Sequence, residues 1–192
     1  MNEFRKHIIE ELMKTERKGM DELIDAMDVM GFFKSPCSGK HHLAESEGLM
    51  KHSWNVLVHA RKLNDAWGRV EADDSIVIAA LLHDLGKMGD HGKPNYIEKV
   101  LKDGSRSKAE PYTTNKDLVY IPHEVRSVMI AERFIKLKEE EEQAILYHNG
   151  LYGDFKYEIQ GKESPLYLIL HFADMWCSRV VEIEGKEENN AG

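Results

Sequence analysis

The sequence predicts an all-α fold, a compact bundle of about seven to nine helices with room for a short β-hairpin in an insertion at 105–121. Apolar residues recur three and four apart along most of the chain, no long alternating stretch occurs outside the middle, and glycine and proline gather at a few points. With 192 residues, 42% of them hydrophobic and 31% charged, the chain has the size and composition of one folded domain.

Residues 2–15 and 20–30 form two amphipathic segments divided near Lys18-Gly19, with Phe4, Ile8, Ile9 and Leu12 on the first stripe and Leu23, Ile24 and Met27 on the second. They predict N-terminal helices, over 1–34, that pack on the core. Ser35, Pro36, Ser38 and Gly39 mark 32–42 as a loop. Helical pattern resumes over 45–67, where Leu49, His52, Val56, Ala60, Leu63 and Trp67 share a stripe, so His52 stands on an inward face. Residues 76–82 are all apolar, with Asp73-Asp74 before them and Gly86 after, which predicts a short helix buried on every side. The stretch 90–121 carries Gly92, Pro94, Gly104 and Pro111, and 112–121 is the expected place of the hairpin. Helices follow at 123–137, 139–148 and 164–181, the last opened by Ser164 as N-cap and Pro165 at the first helical position. The acidic run from Glu139 to Glu142 suits a helix N-terminus. The polar end, 184–192, predicts a flexible tail and leaves 36–183 as the principal domain.

A net charge of -8 and a pI near 5.7 exclude a broad basic surface for tracking a nucleic-acid backbone, while leaving room for a local basic pocket. Cys37 and Cys177 lie far apart without Cys-x-x-Cys spacing, which speaks against a disulfide framework or a thiolate zinc site and fits a reducing cytoplasm. The longest apolar run, 166–173, is far shorter than the roughly 20 residues of a membrane span, and the charged N-terminus lacks a signal-peptide core. The outlying number is histidine, of which there are ten.

His83-Asp84 closes the apolar helix in the string Ala-Leu-Leu-His-Asp-Leu-Gly-Lys. An ionised carboxylate at the end of all-core turns costs several kcal/mol unless a cation compensates it. An ordinary buried His-Asp hydrogen bond would suffice for an isolated pair. This pair is accompanied by His52 on a core stripe and by Asp174 directly after the run 166–173, where a buried acid needs a partner. One His, one His-Asp pair and one Asp make a nitrogen and oxygen set suited to Mn, Fe, Co, Ni, Zn or Mg.

The order His52, His83-Asp84, Asp174, with Gly86 and Lys87 following the pair, resembles the HD-domain metal-dependent phosphohydrolases over roughly residues 36–182. His41-His42, Glu47-Gly48-Leu49 and His52-Ser53 resemble the entry to the first helix of many members, with Glu47 where a Gly is common. His123, after Pro122, and His148 stand in the order in which two-metal members insert two histidines before the last Asp. The resemblance implies that His52, His83, Asp84 and Asp174 hold one divalent ion and that Asp84, His123 and His148 hold a second. A one-ion site, with His123 and His148 turned to substrate phosphate, is the alternative. Some membrane-anchored cyclic-dinucleotide phosphodiesterases have a His-His pair near this point; His148-Asn149 here implies one fewer protein ligand or an extra water.

The implied function is hydrolysis of a phosphoester bond of a nucleotide or short nucleotide-derived substrate through a metal-activated water, with phosphodiesterase-like chemistry. Asp84 is central to it. Lys87 either sets an ammonium beside the phosphoryl group or is an exposed turn lysine. His42 and Arg126 are candidate substrate contacts, and His171, one turn before Asp174, either orients that carboxylate or sits in the core. His59 lies two turns, roughly 10 Å, beyond His52 and cannot share its ion. His7 and His91 are expected at the surface. A one-metal 5'-nucleotidase or nucleoside triphosphate hydrolase, and a catalytically silent nucleotide-binding module, are the other readings. The chain also resembles the HD part of bacterial 3'-5' exoribonucleases, which carry a separate strand-binding domain. None fits here, so a small nucleotide is expected as substrate rather than a long nucleic acid. No membrane partner is expected, and the sequence does not specify an oligomeric state.

Overall fold

The all-apolar run at 76–82 dictates the centre of the molecule. The computed structural model describes residues 3–183. In it α4 (Asp73–Leu82) buries every residue from Ser75 onward, so it has no solvent face and must be covered all round. The cover is supplied by α1 (Glu3–Lys14), α3 (Gly48–Ala66), α6 (Glu139–Tyr147) and α8 (Pro165–Trp176), all packed against it. Fully burying Ile76, Ile78, Leu81 and Leu82 contributes roughly 1.5–3 kcal/mol each. The stripes of α1 and α2 (Met20–Met30) enter the same core through Ile8, Leu12, Leu23 and Met27.

The remaining elements are β1 (Tyr96–Glu98), β2 (Tyr112–Thr114), α5 (His123–Ala131) and α7 (Lys156–Ile159), giving eight α-helices among the described residues. The all-α expectation holds, with a small two-stranded antiparallel sheet in which Ile97 faces Thr113. That sheet differs from the expected hairpin. Only β2 falls within 105–121; its partner lies upstream at Tyr96–Glu98, too short to show an alternating pattern.

Two helices end elsewhere than their apolar pattern implies. α5 stops at Ala131 rather than 137, and the Leu137 N–H is taken by Glu132 Oε1 at 2.7 Å instead of by a helical carbonyl. α8 opens as its N-cap foretells, with Ser164 Oγ accepting from the Tyr167 N–H at 3.3 Å, but passes at Cys177–Val181 into a π-turn. The expected flexible tail, 184–192, lies outside the described residues. No helix among the described residues is long and apolar enough to cross a membrane.

Candidate metal centre

Four helices and one tight turn converge where α4 ends. His83 caps α4, and Asp84 leads into a 3-10 turn, Leu85–Met88. A side chain at Gly86 would collide with the His123 carbonyl and with the Arg126 side chain, so glycine there lets the start of α5 lie against the turn. His52 comes from α3, His148 from the end of α6 and Asp174 from α8.

Three of the four imidazoles are hydrogen-bonded from behind at Nδ1, and the fourth, His123, has a carboxylate there. His83 meets the Ala80 carbonyl at 2.9 Å, His148 the Ile145 carbonyl at 2.8 Å, His52 Glu182 Oε2 at 2.9 Å and His123 Glu124 Oε2 at 3.3 Å. Acceptors behind Nδ1 fix the N–H there in the neutral ring, which turns the Nε2 lone pair inward. The Nε2 atoms of His52 and His83 stand 3.3 Å apart. Asp84 Oδ2 lies 3.5 Å from His52 Nε2 and 3.3 Å from His83 Nε2, whereas Oδ1 lies 3.2 Å from His123 Nε2 and 3.5 Å from His148 Nε2. Asp174 Oδ1 is 3.1 Å from His52 Nε2.

This is a crowd of acceptors short of positive charge. Asp84 Oδ1 is buried and has no hydrogen-bond partner, a state that costs about 1–3 kcal/mol or more for a charged acceptor. Burial would raise the Asp84 pKa, but Lys87, whose Nζ lies 2.7 Å from Oδ2, and His83 hold it well below the usual carboxylate range. Burial likewise opposes a lowered Asp174 pKa, and His52 outweighs it. His52 is disfavoured as a cation by burial, yet Cys37, Asp174 and Glu182 raise its pKa well above the ordinary value. His148 is raised in the same way by Asp84, while burial leaves His83 lowered. Carboxylates that stay ionised and imidazoles drawn toward protons form a donor set that fits a divalent cation. Around Asp84 and Asp174, ligand atoms lie mutually within 4.8 Å in the sets His52 with His83 and Asp84, His83 with His148 and Asp174, and Asp84 with His123 and His148.

The residues expected around this centre fall into distinct places. Lys87 is not an exposed turn lysine, since its ammonium is tied to Asp84 and its side chain is 15% exposed. His42 lines a cavity of about 820 Å³ together with Cys37, Lys40, His41, Lys87, Tyr96 and Glu182; burial lowers its pKa to about 4. Arg126 is part of the wall of a neighbouring cavity with Tyr96, Tyr120 and His123, but its guanidinium is committed to the Val119 carbonyl at 2.7 Å and to Asp90 at 3.4 Å. His171 donates to the His148 carbonyl at 2.8 Å rather than to Asp174, and its ring packs so closely on Gly150 that a side chain there would clash. Asn149, where a second histidine was the family alternative, donates to Glu124, the residue behind His123. His59 sits away from the centre on the Asn55 carbonyl at 2.9 Å. His91 is exposed, and His7, expected at the surface, is half-buried and stacked on Trp54 at 5.2 Å.

Sequence reasoning missed Glu182. It is 5% exposed, accepts from His52 and takes the Asn55 side-chain amide at 2.9 Å. A continuing α-helix spaces residues by 3.6 per turn, and only the π-turn Cys177–Val181 brings Glu182 back over His52. No local signal marks such a turn in advance.

With this geometry in place, a model described as HD domain matches residues 49–175, which is 127 of the 192 positions and includes each of the six converging side chains. No curated protein and no solved structure gives a significant match.

Proposed function

The chain belongs to the HD-domain family, and on that footing we propose that it cleaves a phosphoester bond of a nucleotide or short nucleotide-derived substrate, using two divalent cations and phosphodiesterase-like chemistry. HD domains are typically metal-dependent phosphohydrolases. One observation carries the reading: Asp84 turns one oxygen to His52 and His83 and the other, unpartnered, to His123 and His148. In this proposal His52, His83, Asp84 and Asp174 hold the first cation, and Asp84, His123 and His148 the second. A bound divalent cation supplies Lewis acidity toward water and phosphate oxygens.

The chain's own residues do the rest. Glu182, Ala80 and Ile145 keep Nε2 of His52, His83 and His148 available by occupying their Nδ1 atoms. Lys87 holds its ammonium at the wall of the larger cavity, where it can meet a phosphate oxygen as charge builds. His42, Lys40 and His41 share that wall, and a volume of about 820 Å³ suits a small molecule better than a polymer. Arg126 and Tyr96 border the adjoining cavity of about 480 Å³, an aromatic and polar setting in keeping with a nucleoside portion. Both cysteines are free, in keeping with a cytoplasmic location.

The test is elemental analysis of protein purified without chelator, followed by assay of chromogenic phosphomonoesters, phosphodiesters and a nucleotide panel with Mn2+. Bound metal with turnover of at least one phosphodiester is expected. Metal-free protein that stays inert toward the whole panel with Mn2+ present would falsify the proposal.

A further inference from the structure

Behind His52, on the side away from Asp84, stands a second group of donor atoms, and it contains a sulfur. Cys37 is fully buried, with Sγ 3.3 Å from His42 Nε2. His42 Nε2 lies 4.0 Å from Glu182 Oε2, the same oxygen that accepts from His52 Nδ1 at 2.9 Å. Ligand atoms of Cys37, His42 and His52 are mutually within 4.8 Å.

The loop is built to bring these atoms together. The Cys37 N–H donates to the Leu43 carbonyl at 3.1 Å, Ser38 Oγ donates to the His42 carbonyl at 2.9 Å, and the His41 N–H donates to Ser38 Oγ at 2.9 Å. The six residues from Cys37 to His42 are thereby folded back so that positions 37 and 42 face one another. Cys37, His42 and Glu182 also line the large cavity, so a solute has a way in.

Donor chemistry and spacing select the ligand. With Zn–S near 2.3 Å and Zn–N or Zn–O near 2.0–2.1 Å, neighbouring donors around a tetrahedral ion sit roughly 3.3–3.6 Å apart. The observed 3.3 Å between Cys37 and His42 falls at the short end of that range, and the 4.0 Å between His42 and Glu182 must close by roughly 0.6 Å. A thiolate among the donors favours soft or borderline ions over Mg or Mn. We propose that Cys37, His42 and Glu182 form a separate site for a thiophilic divalent cation of the zinc or cadmium kind, bounded on its fourth side by the Nδ1 edge of His52. The site stands on these atoms alone and does not depend on the hydrolytic reading.

Full-length protein titrated with Cd2+ tests it through the ultraviolet cadmium–thiolate charge-transfer band. No cysteine lies among the ligands of the Asp84 centre, so the band reports this site. The band should grow to a plateau in the wild type and in Cys177→Ser, and disappear in Cys37→Ser. His42→Ala should weaken Cd2+ binding about tenfold or more. Absence of a band in the wild type, its survival in Cys37→Ser or its loss in Cys177→Ser overturns the proposal. If Cys37→Ser fails to fold by circular dichroism, His42→Ala decides instead, and unchanged Cd2+ affinity in that variant overturns it equally.

Discussion

Glu141 and Asp84 are both buried acids, the first fully enclosed and the second 1% exposed, yet their surroundings are opposite in kind. Glu141 is surrounded by donors: Arg17 through NH1 at 3.1 Å and NH2 at 2.5 Å, Ser75 Oγ at 2.8 Å and the Lys138 N–H at 2.9 Å. Arg17 and Lys138 also reach Asp74, so the loop after α1, the start of α4 and the start of α6 are fastened by charges the protein itself supplies. Asp84 has Lys87 on one oxygen, while the other faces the Nε2 atoms of His123 and His148 without a hydrogen bond. The first arrangement is complete as it stands and holds the fold. The second is short of positive charge, and that deficit, rather than burial alone, sets the candidate metal centre apart from a structural ion pair.

The largest effect that would break this comparison belongs to Asp84→Asn. It should lose bound metal and on the order of 10³-fold in kcat. Full metal content and turnover in that variant would erase the contrast. Glu141→Gln should do the reverse: it leaves Arg17, 15% exposed, without its main partner, and should cost about 3 kcal/mol in urea unfolding while metal content stays at the wild-type level.

These two acids also show how far the sequence could be read. His52, His83, Asp84 and Asp174 were visible because each interrupts an apolar pattern, and a polar residue on a core stripe is conspicuous. The bundle itself was legible from period for the same reason. Glu141 was not, since within the run Glu139 to Glu142 nothing separates a buried acid from three exposed or partly exposed ones until α6 packs on α4. Glu182 depended on a π-turn, and the partner of β2 on a pairing 14 residues or more upstream, both set by tertiary contact rather than local pattern. Arg126 is a different case: its type suggested a substrate contact, and the structure sets its buried guanidinium against Asp90 and the Val119 carbonyl at the edge of the adjoining cavity.

A third acid sharpens the comparison through pH. Asp90, 4% exposed, receives Arg133 through two bonds of 2.8 and 2.7 Å, and those hydrogen bonds lower its pKa from 3.8 to about 2. A carboxylate depressed by folding stabilises the native state in full above the unfolded value, and that contribution is lost as pH falls from about 3.8 through about 2. The loss should amount to about 2 kcal/mol in metal-free protein, read by urea unfolding across that window. Asp90→Asn should remove this step from the acid limb. An unchanged acid limb would place Asp90 outside the class of protein-neutralised acids to which Glu141 belongs.

The smallest effect is expected at Glu182, which stands between the two kinds of acid. It is satisfied by protein donors, as Glu141 is, through Asn55 and His52, but one of those donors belongs to a proposed metal ligand. Its contribution should therefore register in metal affinity more than in stability. Removing a carboxylate behind a ligating histidine weakens metal binding about tenfold or more. Glu182→Ala should show that loss by calorimetric Mn2+ titration. Glu182→Gln keeps an oxygen that can accept from His52 Nδ1 and gives up only the charge, so it should recover most of the affinity. If alanine and glutamine variants bind Mn2+ equally and both as tightly as the wild type, Glu182 only anchors the end of α8, and the orientation of His52 comes from its packing alone.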